Sequence, residues 1–357
     1  MKPQPPVTMM FLGSNASVIS ASLASGRYRY ERCYPHTVVG SESCRSIVGT
    51  TIHRRKERIH ATRHEILMAT YNGAEYIEQQ IASIQQQTLR NWTLSISDDC
   101  STDDTLDIIT RLARQDARIR IVSHDVHHGS PQANFNALMA QASGRYVFLA
   151  DQDDLWHADK LALFMQRLHS TEAQYGSDTP LLAFSDLMVV DAHNDVIAPS
   201  FLRFIGRDPH RTQLNELLAQ NLVTGCATAM NAALRDVIRS IVTHSDGDHM
   251  VMHDWCYALV AAALGHVVYV NQATVNYRQH GDNAMGAHRY SALKTLMSLI
   301  VHRAPIRRQR VARMHRMIAQ AAYVRDALAA YDRPSSLETL DAYCAHIGCT
   351  ECGICRP

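Results

Sequence analysis

From residue 65 onward, short apolar runs alternate with stretches whose hydrophobic residues recur at helical spacing, whereas residues 1–62 keep no sustained period. The apolar runs predict buried strands at 65–69, 92–97, 119–122 and 146–150. The intervening spacing predicts helices over 74–87, over 131–142, and after a capping box at 101–104. Strands that alternate with helices through short connections build a mostly parallel sheet covered by helices on both faces. We therefore expect an α/β fold.

The second half of the chain has a more mixed pattern. It predicts strands at 181–190, 223–230, 266–270 and 275–278, and helices at 213–220, at 255–264, from Tyr290 and from Ile306. We expect four regions: a flexible N-terminal extension at 1–62, the main domain at 63–287, a helical segment at 288–343 and a disordered cysteine-containing tail at 344–357. The alternative for this tail, a zinc or iron–sulfur site, lacks the complete ligand spacing.

Composition and charge narrow the classes of function. The chain is 46% hydrophobic and 19% charged, which indicates a globular protein. Its formal net charge of +1 offers no basic field, so we expect no nucleic-acid partner. The 9 cysteines form no disulfide framework, which favours a reducing, cytoplasmic compartment. Apolar runs long enough to span a membrane are absent from the sequence.

Polar clusters follow three of the predicted strands directly. Thr70-Tyr71-Asn72 comes after the first strand, Asp98-Asp99 after the second, and Asp151-Gln152-Asp153-Asp154 after the fourth. Ligands of open α/β sheets bind beyond the carboxyl ends of the strands, so we expect these clusters to form one site. Carboxylates two residues apart suit Mg²⁺ or Mn²⁺ bound to a phosphorylated substrate. The alternative is that Asp153 or Asp154 caps a helix that begins near Trp156.

These motifs carry a resemblance to a known family. The segments ATYNG at 69–73, DDCSTD at 98–103 and DQDD at 151–154 resemble, in this order, those of the family 2 inverting glycosyltransferases. Downstream, QNLVTGC at 220–226, HDW at 253–255 and YRQHGDN at 277–283 resemble the rhamnosyltransferase-like branch, which builds bacterial surface polysaccharide. The resemblance implies the GT-A fold, in which a Rossmann-like nucleotide-sugar half joins a mixed acceptor half followed by C-terminal helices.

The resemblance implies a donor site for a dTDP-sugar or a UDP-sugar, with dTDP-rhamnose preferred. Tyr71 would stack on the pyrimidine base beside the backbone of Ala69 and Thr70. Asp99, left free by a cap at Ser101, would accept a hydrogen bond from the base, and Asp151 would hold the ribose. The cofactor would be Mg²⁺ or Mn²⁺.

The resemblance also assigns the metal and the base. Asp153 and His280 would be metal ligands, Arg278 would share the charge of the leaving group, and Asp254 would be the catalytic base. His253-Asp254 replaces the commoner Glu-Asp pair, so the surroundings of the base depart from the family pattern. From the residues alone, Asp254 is equally well explained as a helix cap. If it opens a helix, the helix dipole should keep it ionised at neutral pH.

The acceptor implied by the resemblance is a saccharide, expected to be lipid-linked. A basic stretch without an intervening acid would then allow peripheral contact with the inner face of the cell membrane; it comprises Arg303, Arg307, Arg308, Arg310, Arg313 and Arg316. Two other functions stay open. Asp151 and Asp153 also fit a haloacid-dehalogenase-like phosphatase, and the same fold could serve a non-catalytic nucleotide-sugar-binding protein.

Overall fold

The computed structural model describes residues 9–12, 18–24, 27–33, 64–243, 250–280 and 303–348. Side chains are described for 64–243, 250–280 and 311–345. Contacts divide the chain into two units, Met1–Glu57 and Arg58–Pro357. The helix predicted from Tyr290 and the cysteines from Cys349 to Cys355 lie outside the described residues.

The N-terminal unit contains three strands that the sequence analysis did not predict: β1 (Met9–Leu12), β2 (Val18–Ala24) and β3 (Arg27–Cys33). They form an antiparallel sheet in chain order. Ile19, Ala21 and Leu23 alternate with serines in β2, which is the period-2 signal of a strand. The predicted flexibility of this extension stays a prediction.

The main unit begins with alternating strands and helices. In chain order these are β4 (His64–Thr70), α1 (Ile77–Gln85), β5 (Trp92–Asp98), α2 (Thr105–Gln115), β6 (Ile119–Ser123), α3 (Pro131–Gln141) and β7 (Tyr146–Ala150). Each corresponds to a predicted element. Ser130 caps α3 through a hydrogen bond from the Ala133 amide. The predicted cap at Ser101 is wrong, because the residue that precedes α2 is Asp104 and it makes no capping hydrogen bond.

The second half of the main unit alternates less regularly. Its elements are β8 (Leu155–Trp156), α4 (Lys160–Tyr175), β9 (Leu181–Val190), β10 (Val196–Ala198), α5 (Phe201–Phe204), α6 (Leu214–Ala219), a 3₁₀ turn (Gly225–Ala227), β11 (Thr228–Asn231), α7 (Ala232–Thr243), α8 (His253–Leu264), β12 (His266–Arg278), α9 (Arg303–Leu328) and α10 (Pro334–Gly348).

Several boundaries differ from the sequence prediction. The strand predicted at 223–230 is shorter, since Gly225–Ala227 turns before β11 begins. The two strands predicted at 266–270 and 275–278 are one strand, β12, whose register shifts between Val270 and Asn276. Helix α10 extends to Gly348, so Cys344 lies in a helix and not in a tail.

The described main unit contains a nine-stranded sheet in the order β6-β5-β4-β7-β11-β9-β12-β8, with β10 paired to β9. Strands β6, β5, β4 and β7 are parallel, whereas β11 runs antiparallel to both β7 and β9. Strands β9 and β12 are parallel again. This arrangement confirms the expected GT-A fold, with a parallel half joined to a mixed half.

Apolar side chains fill both faces of the sheet. One core lies between the sheet and α1, α2 and α4, and the other between the sheet and α3, α6, α7 and α8, with α9 and α10 packed outside them. The strand order reverses between β4 and β7, which are neighbours although β5 and β6 come between them in sequence. Such a switch opens a crevice at the carboxyl ends of the strands.

Candidate active site

The turn after β4 is locked to the end of β5. Thr70 Oγ1 donates a 2.8 Å hydrogen bond to Asp98, whose carboxylate also accepts from the amide and hydroxyl of Ser101. The backbone of Asp99 in turn donates to the Thr70 carbonyl at 2.8 Å. The Asp98 side chain is fully buried, and by accepting these hydrogen bonds it shapes the turn.

Tyr71 projects from this turn and is 50% exposed, which is unusual for a large aromatic side chain. Its backbone is held by Gln152: the Tyr71 N–H donates to Gln152 Oε1 at 2.9 Å, and Gln152 Nε2 donates to the Tyr71 carbonyl at 2.9 Å. A Cβ at Gly73 would lie 2.4 Å from the same glutamine, so any larger residue there would displace it. The ring of Tyr71 is therefore exposed on a rigid support.

Asp99 is buried beside Tyr71 and holds the next loop. Its carboxylate accepts from the backbone amides of His128 and Gly129, the second at 3.0 Å. The expectation that Asp99 is left free is therefore wrong, because the β6–α3 loop directs its amides at this carboxylate. Each carboxylate oxygen can accept more than one hydrogen bond, so the role at a base stays a prediction. The His127 ring lies 6.5 Å from that of Tyr71.

The acidic loop after β7 is gripped by glutamines of α1 and of the segment that follows it. Gln80 Nε2 donates to the Asp151 carbonyl at 2.9 Å, and Gln87 Nε2 donates to the His157 carbonyl at 2.8 Å. Strand β8 follows this loop and α4 begins only at Lys160, so neither Asp153 nor Asp154 caps a helix. The capping alternative is thus excluded, and the aspartates are held in a bent loop between β7 and β8.

Asp153 and His280 are brought together from positions 127 residues apart. The His280 Nε2 lies 2.8 Å from Asp153 Oδ2, and both side chains are largely buried. Arg278 holds the acidic loop: its Nε donates to the Asp153 carbonyl, its Nη1 to the Ala192 carbonyl and its Nη2 to Gln79. The expected contact of Arg278 with a leaving group stays a prediction.

The neighbours of Asp153 in the loop after β7, Asp151 and Asp154, form a cluster with Cys226. Ligand atoms of Asp151, Asp154 and Cys226 all lie within 4.8 Å of one another. Burial, together with the charges of Asp153 and Asp254, raises the pKa of Asp151. Asp154 accepts from the Arg278 amide through Oδ1, but its buried Oδ2 has no hydrogen-bond partner in the described protein. Burial and mutual repulsion therefore disfavour the ionised forms of Asp151 and Asp154, and an approaching cation would favour them.

Asp254 lies in the first turn of α8, close enough to Asp151 for its charge to raise the pKa of that carboxyl. Its Oδ2 accepts from the Gly225 amide at 3.0 Å, and its Oδ1 accepts from the Trp255 amide and, at 3.4 Å, from Asn221. Burial nevertheless raises the pKa of Asp254 to about 6, although these hydrogen bonds act in the opposite direction. Burial therefore outweighs these hydrogen bonds. The carboxylate is nevertheless ionised at neutral pH, as expected, and is more basic than an exposed aspartate.

His253 precedes this carboxylate and is buried between aromatic rings. Its ring centroid lies 4.3 Å from that of Phe135, and a Cβ at Gly225 would lie 2.9 Å from its Nε2. Burial lowers the pKa of His253 to about 3. At neutral pH the His253 imidazole is therefore uncharged, whereas the resemblance implied a glutamate at this position. Asp254 thus has no anionic side chain directly before or after it in the sequence.

The structure therefore brings the three predicted clusters to one edge of the sheet. Ala69 and Thr70 end β4, and the Asp99 amide donates to the Thr70 carbonyl. Gln152 of the acidic loop holds the backbone of Tyr71, and Asp153 of the same loop, two residues after Asp151, lies against His280. Sequence reasoning missed Gln152 as the support of Tyr71. It also missed Gln80 and Gln87, which are both fully buried. Two glutamines seven residues apart on the inward side of one segment indicate buried polar contacts, because a buried amide needs hydrogen-bond partners.

Comparison with known proteins gives an independent result. The family model described as Glycosyl transferase family 2 matches residues 65–185. A Bacillus subtilis (strain 168) glycosyltransferase assigned to teichuronic acid biosynthesis, TuaG, is 38% identical over 96 residues, which are 27% of this chain and 38% of that protein. WfgD of Escherichia coli, named as a UDP-Glc:alpha-D-GlcNAc-diphosphoundecaprenol beta-1,3-glucosyltransferase, is 27% identical over 46% of this chain and 58% of its own length.

A third relative matches a longer segment. The dTDP-rhamnosyl transferase RfbG of Shigella flexneri is 26% identical over 229 residues, covering 62% of this chain and 74% of that protein. Among solved structures, S. aureus TarS 1–349 aligns over 80% of this chain and 88% of that chain, with 16% identity and a TM-score of 0.49. The chain covers less than two thirds of the length of the first two relatives.

Proposed function

The chain carries a glycosyl transferase family 2 domain at residues 65–185, and on this premise we propose that it transfers a sugar from a nucleotide diphosphate to a saccharide acceptor with inversion. The observation that supports this most directly is that the proposed metal ligand and the proposed base both lie near Asp151: the charges of Asp153, which pairs with His280, and of Asp254 both raise the pKa of the Asp151 carboxyl.

The donor end fits a pyrimidine nucleotide. The exposed face of Tyr71 offers a stacking surface, and base–aromatic stacking contributes about 1–3 kcal/mol. The buried carboxylate of Asp99 lies beside it as an acceptor for a base N–H. Asp151 follows at the end of β7, where we assign it to the ribose. None of these contacts distinguishes thymine from uracil.

The middle of the site fits a divalent cation. A carboxylate and an imidazole stand 2.8 Å apart, with an unpartnered carboxylate oxygen of Asp154 behind them. Asp153 and His280 would hold Mg²⁺ or Mn²⁺, which when bound would supply positive charge to the departing diphosphate. The protein itself contributes the rigid loop, through Gln80 and Arg278.

Asp254 has the properties that a general base requires. Its pKa of about 6 leaves it ionised at neutral pH while keeping it more basic than an ordinary aspartate. In the proposed step the acceptor hydroxyl oxygen bonds to the anomeric carbon, the bond from that carbon to the diphosphate oxygen breaks, and the hydroxyl proton passes to Asp254. The diphosphate leaves with the electron pair.

The relatives guide the choice of substrates. RfbG is named for dTDP-rhamnose and WfgD for UDP-glucose and a diphosphoundecaprenol acceptor, so we propose dTDP-rhamnose first and a UDP-hexose second. A lipid-linked saccharide is the proposed acceptor, with the enzyme at the inner face of the cell membrane. Among the described helices, none has the length and apolar character needed to cross a bilayer.

Two alternatives, a phosphatase and a non-catalytic binding protein, are outcomes of the test. A phosphatase would hydrolyse a phosphomonoester without a nucleotide, and a binding protein would hold the nucleotide sugar without turning it over. We would titrate dTDP, UDP and GDP by calorimetry, each with Mn²⁺, Mg²⁺ or EDTA, and then measure release of the nucleotide diphosphate. Metal-dependent binding that Asp153→Ala removes, followed by turnover, supports the transferase. Absence of binding to every nucleotide would refute it.

A further inference from the structure

Lys160 is fully buried although it opens a helix, where a lysine normally reaches solvent. Buried lysines are rare unless a partner compensates the charge. Here Nζ donates a short hydrogen bond to the carbonyl of Cys226 and lies 3.5 Å from the centroid of the Trp156 ring. The ammonium is therefore fixed in place by one carbonyl and one aromatic face.

The surroundings of Lys160 are acidic. The charges of Asp154 and Asp151 favour its protonated form, while burial lowers its pKa to about 7. Both carboxylates belong to the loop after β7 and lie close to Cys226. Lys160 thus packs on Trp156 of β8, lies near both carboxyls of the acidic loop, and hydrogen-bonds to a different element at Cys226.

That second element positions the proposed base. Cys226 is the middle residue of the 3₁₀ turn Gly225–Ala227, and the amide of Gly225 donates to Asp254 Oδ2 at 3.0 Å. The carbonyl held by Lys160 and the amide that holds Asp254 thus belong to adjacent residues of the same turn. Displacement of this turn would move the hydrogen bond that orients the carboxylate.

We propose that Lys160 is a positioning residue that fixes the turn 225–227 against the acidic loop, and so sets the position of Asp254 relative to the donor carboxylates. This inference rests on the proposed function. Lys160 would then connect two parts of the sheet. The acidic loop belongs to the parallel half, and the turn 225–227, which holds the base Asp254, belongs to the mixed half.

The inference predicts a loss of turnover larger than the loss of donor affinity. A displacement of about 1 Å in a catalytic group can cost about 100-fold in rate. Lys160→Met keeps the approximate length of the side chain and its packing on Trp156 but removes the hydrogen bond to Cys226. We expect kcat for donor hydrolysis to fall about 10- to 100-fold, while the Kd for UDP or dTDP changes less than about 5-fold.

The pH dependence supplies a readout that a purely structural role would leave unchanged. The Gly225 hydrogen bond lowers the pKa of Asp254, so a loosened turn should raise that pKa. The acidic limb of the pH–rate profile should then move to higher pH in Lys160→Met. Thr171→Val is the matched control, because it replaces a buried polar side chain of α4 whose hydroxyl donates to the Arg167 carbonyl within the same helix.

The experiment compares wild type, Lys160→Met and Thr171→Val in full-length protein. It measures the melting temperature, the Kd for UDP and dTDP with Mn²⁺, and hydrolysis of UDP-glucose and dTDP-rhamnose against pH. The proposal requires lower kcat and a shifted limb in Lys160→Met, with neither change in Thr171→Val. The proposal would be overturned if kcat of Lys160→Met were unchanged. It would also be overturned if this variant only bound the nucleotides more weakly, with no shift in the acidic limb of its pH–rate profile.

A milder variant covers the case in which Lys160→Met does not fold. Trp156→Leu removes the aromatic face that orients the ammonium and should reduce kcat about 2- to 10-fold with the same direction of shift. An unchanged kcat and limb in that variant would also count against the proposal. Failure of the wild type to bind any nucleotide would instead refute the proposed function, so the two failures are distinguishable.

Discussion

Replacement of Asp254 by asparagine should abolish most turnover and, at the same time, make the stability of the protein less sensitive to pH. Asp254 is buried at the start of α8, and its burial raises its pKa from 3.8 to about 6. The folded state therefore holds a proton on this carboxyl more tightly than the unfolded chain does. Asparagine keeps the shape but neither ionises nor accepts a proton from an acceptor hydroxyl.

The size of the stability effect follows from this difference. A raised pKa means that the folded state binds more protons between about pH 4 and pH 6, so the free energy of unfolding falls as pH rises through that window. At about 1.36 kcal/mol per unit, the shift corresponds to a cost of about 3 kcal/mol, fully present above the folded pKa. About 2 kcal/mol of it should develop between about pH 4.5 and about pH 7.5.

Urea denaturation at several pH values in that range tests the prediction. In Asp254→Asn one of the two hydrogen bonds from the amides of Gly225 and Trp255 is lost, because the new side-chain NH₂ group cannot accept from a backbone N–H. This loss of stability does not depend on pH. The difference in unfolding free energy, Asp254→Asn minus wild type, should therefore increase by about 2 kcal/mol as pH rises. Parallel stability curves for the two proteins would refute the reasoning that burial raises this pKa.

Activity is the second half of the same test. Loss of general-base catalysis should reduce kcat by about 10²- to 10⁴-fold. In the wild type the rate should fall as pH drops below about 6, because the base becomes protonated. Asp186→Asn is the matched control, since Asp186 is buried and holds α5 through the Leu202 amide and Ser200. It should lower stability and retain kcat; full activity of Asp254→Asn would exclude Asp254 as the base.

Three further predictions concern the donor side of the crevice. Tyr71→Ala should weaken UDP and dTDP binding about 5- to 100-fold in calorimetry because the stacking face is lost. Tyr71→Phe keeps that face and should bind these nucleotides within about 3-fold of wild type. Equal affinity of the two variants would contradict stacking. Gln152→Leu removes two hydrogen bonds from the Tyr71 backbone and should weaken the same nucleotides about 5- to 20-fold, and unchanged affinity would show that the turn is rigid without it. His280→Ala should weaken binding in Mn²⁺ by at least about 10-fold but change it little in EDTA, and an equal loss in both would argue against a metal ligand.

The sequence pattern predicted most of the fold because its elements are locally encoded. Apolar runs such as 146–150 become buried strands wherever they occur in a sheet, and the period of Ile77, Ile81 and Ile84 already determines the inward face of α1. The errors fall where tertiary contacts override local preference. β12 stays one strand across 266–278 because β9 pairs with it on both sides of its register shifts, although Asn271 and Gln272 have no partner in β9.

The candidate site was only partly predictable for the same reason. The sequence motifs identified Asp99, Asp153 and Asp254 as candidate site residues. Their hydrogen-bond partners could not be identified in this way, because those partners lie on other elements. Asp99 meets the loop at 127–129, and Asp153 meets His280 from 127 residues away. No local pattern could show that the guanidinium of Arg278 is engaged by the protein.

By itself, the sequence determined the residue types at the strand ends and hence the kind of chemistry that the crevice can hold. Only the tertiary structure decided how basic and how well oriented those groups are. Parallel strands bring Thr70 level with Asp98, and the antiparallel β11 brings the turn at 225–227 beneath the acidic loop. Burial then raises the pKa of Asp254 and lowers that of Lys160, because desolvation depends on neighbours that are distant in sequence.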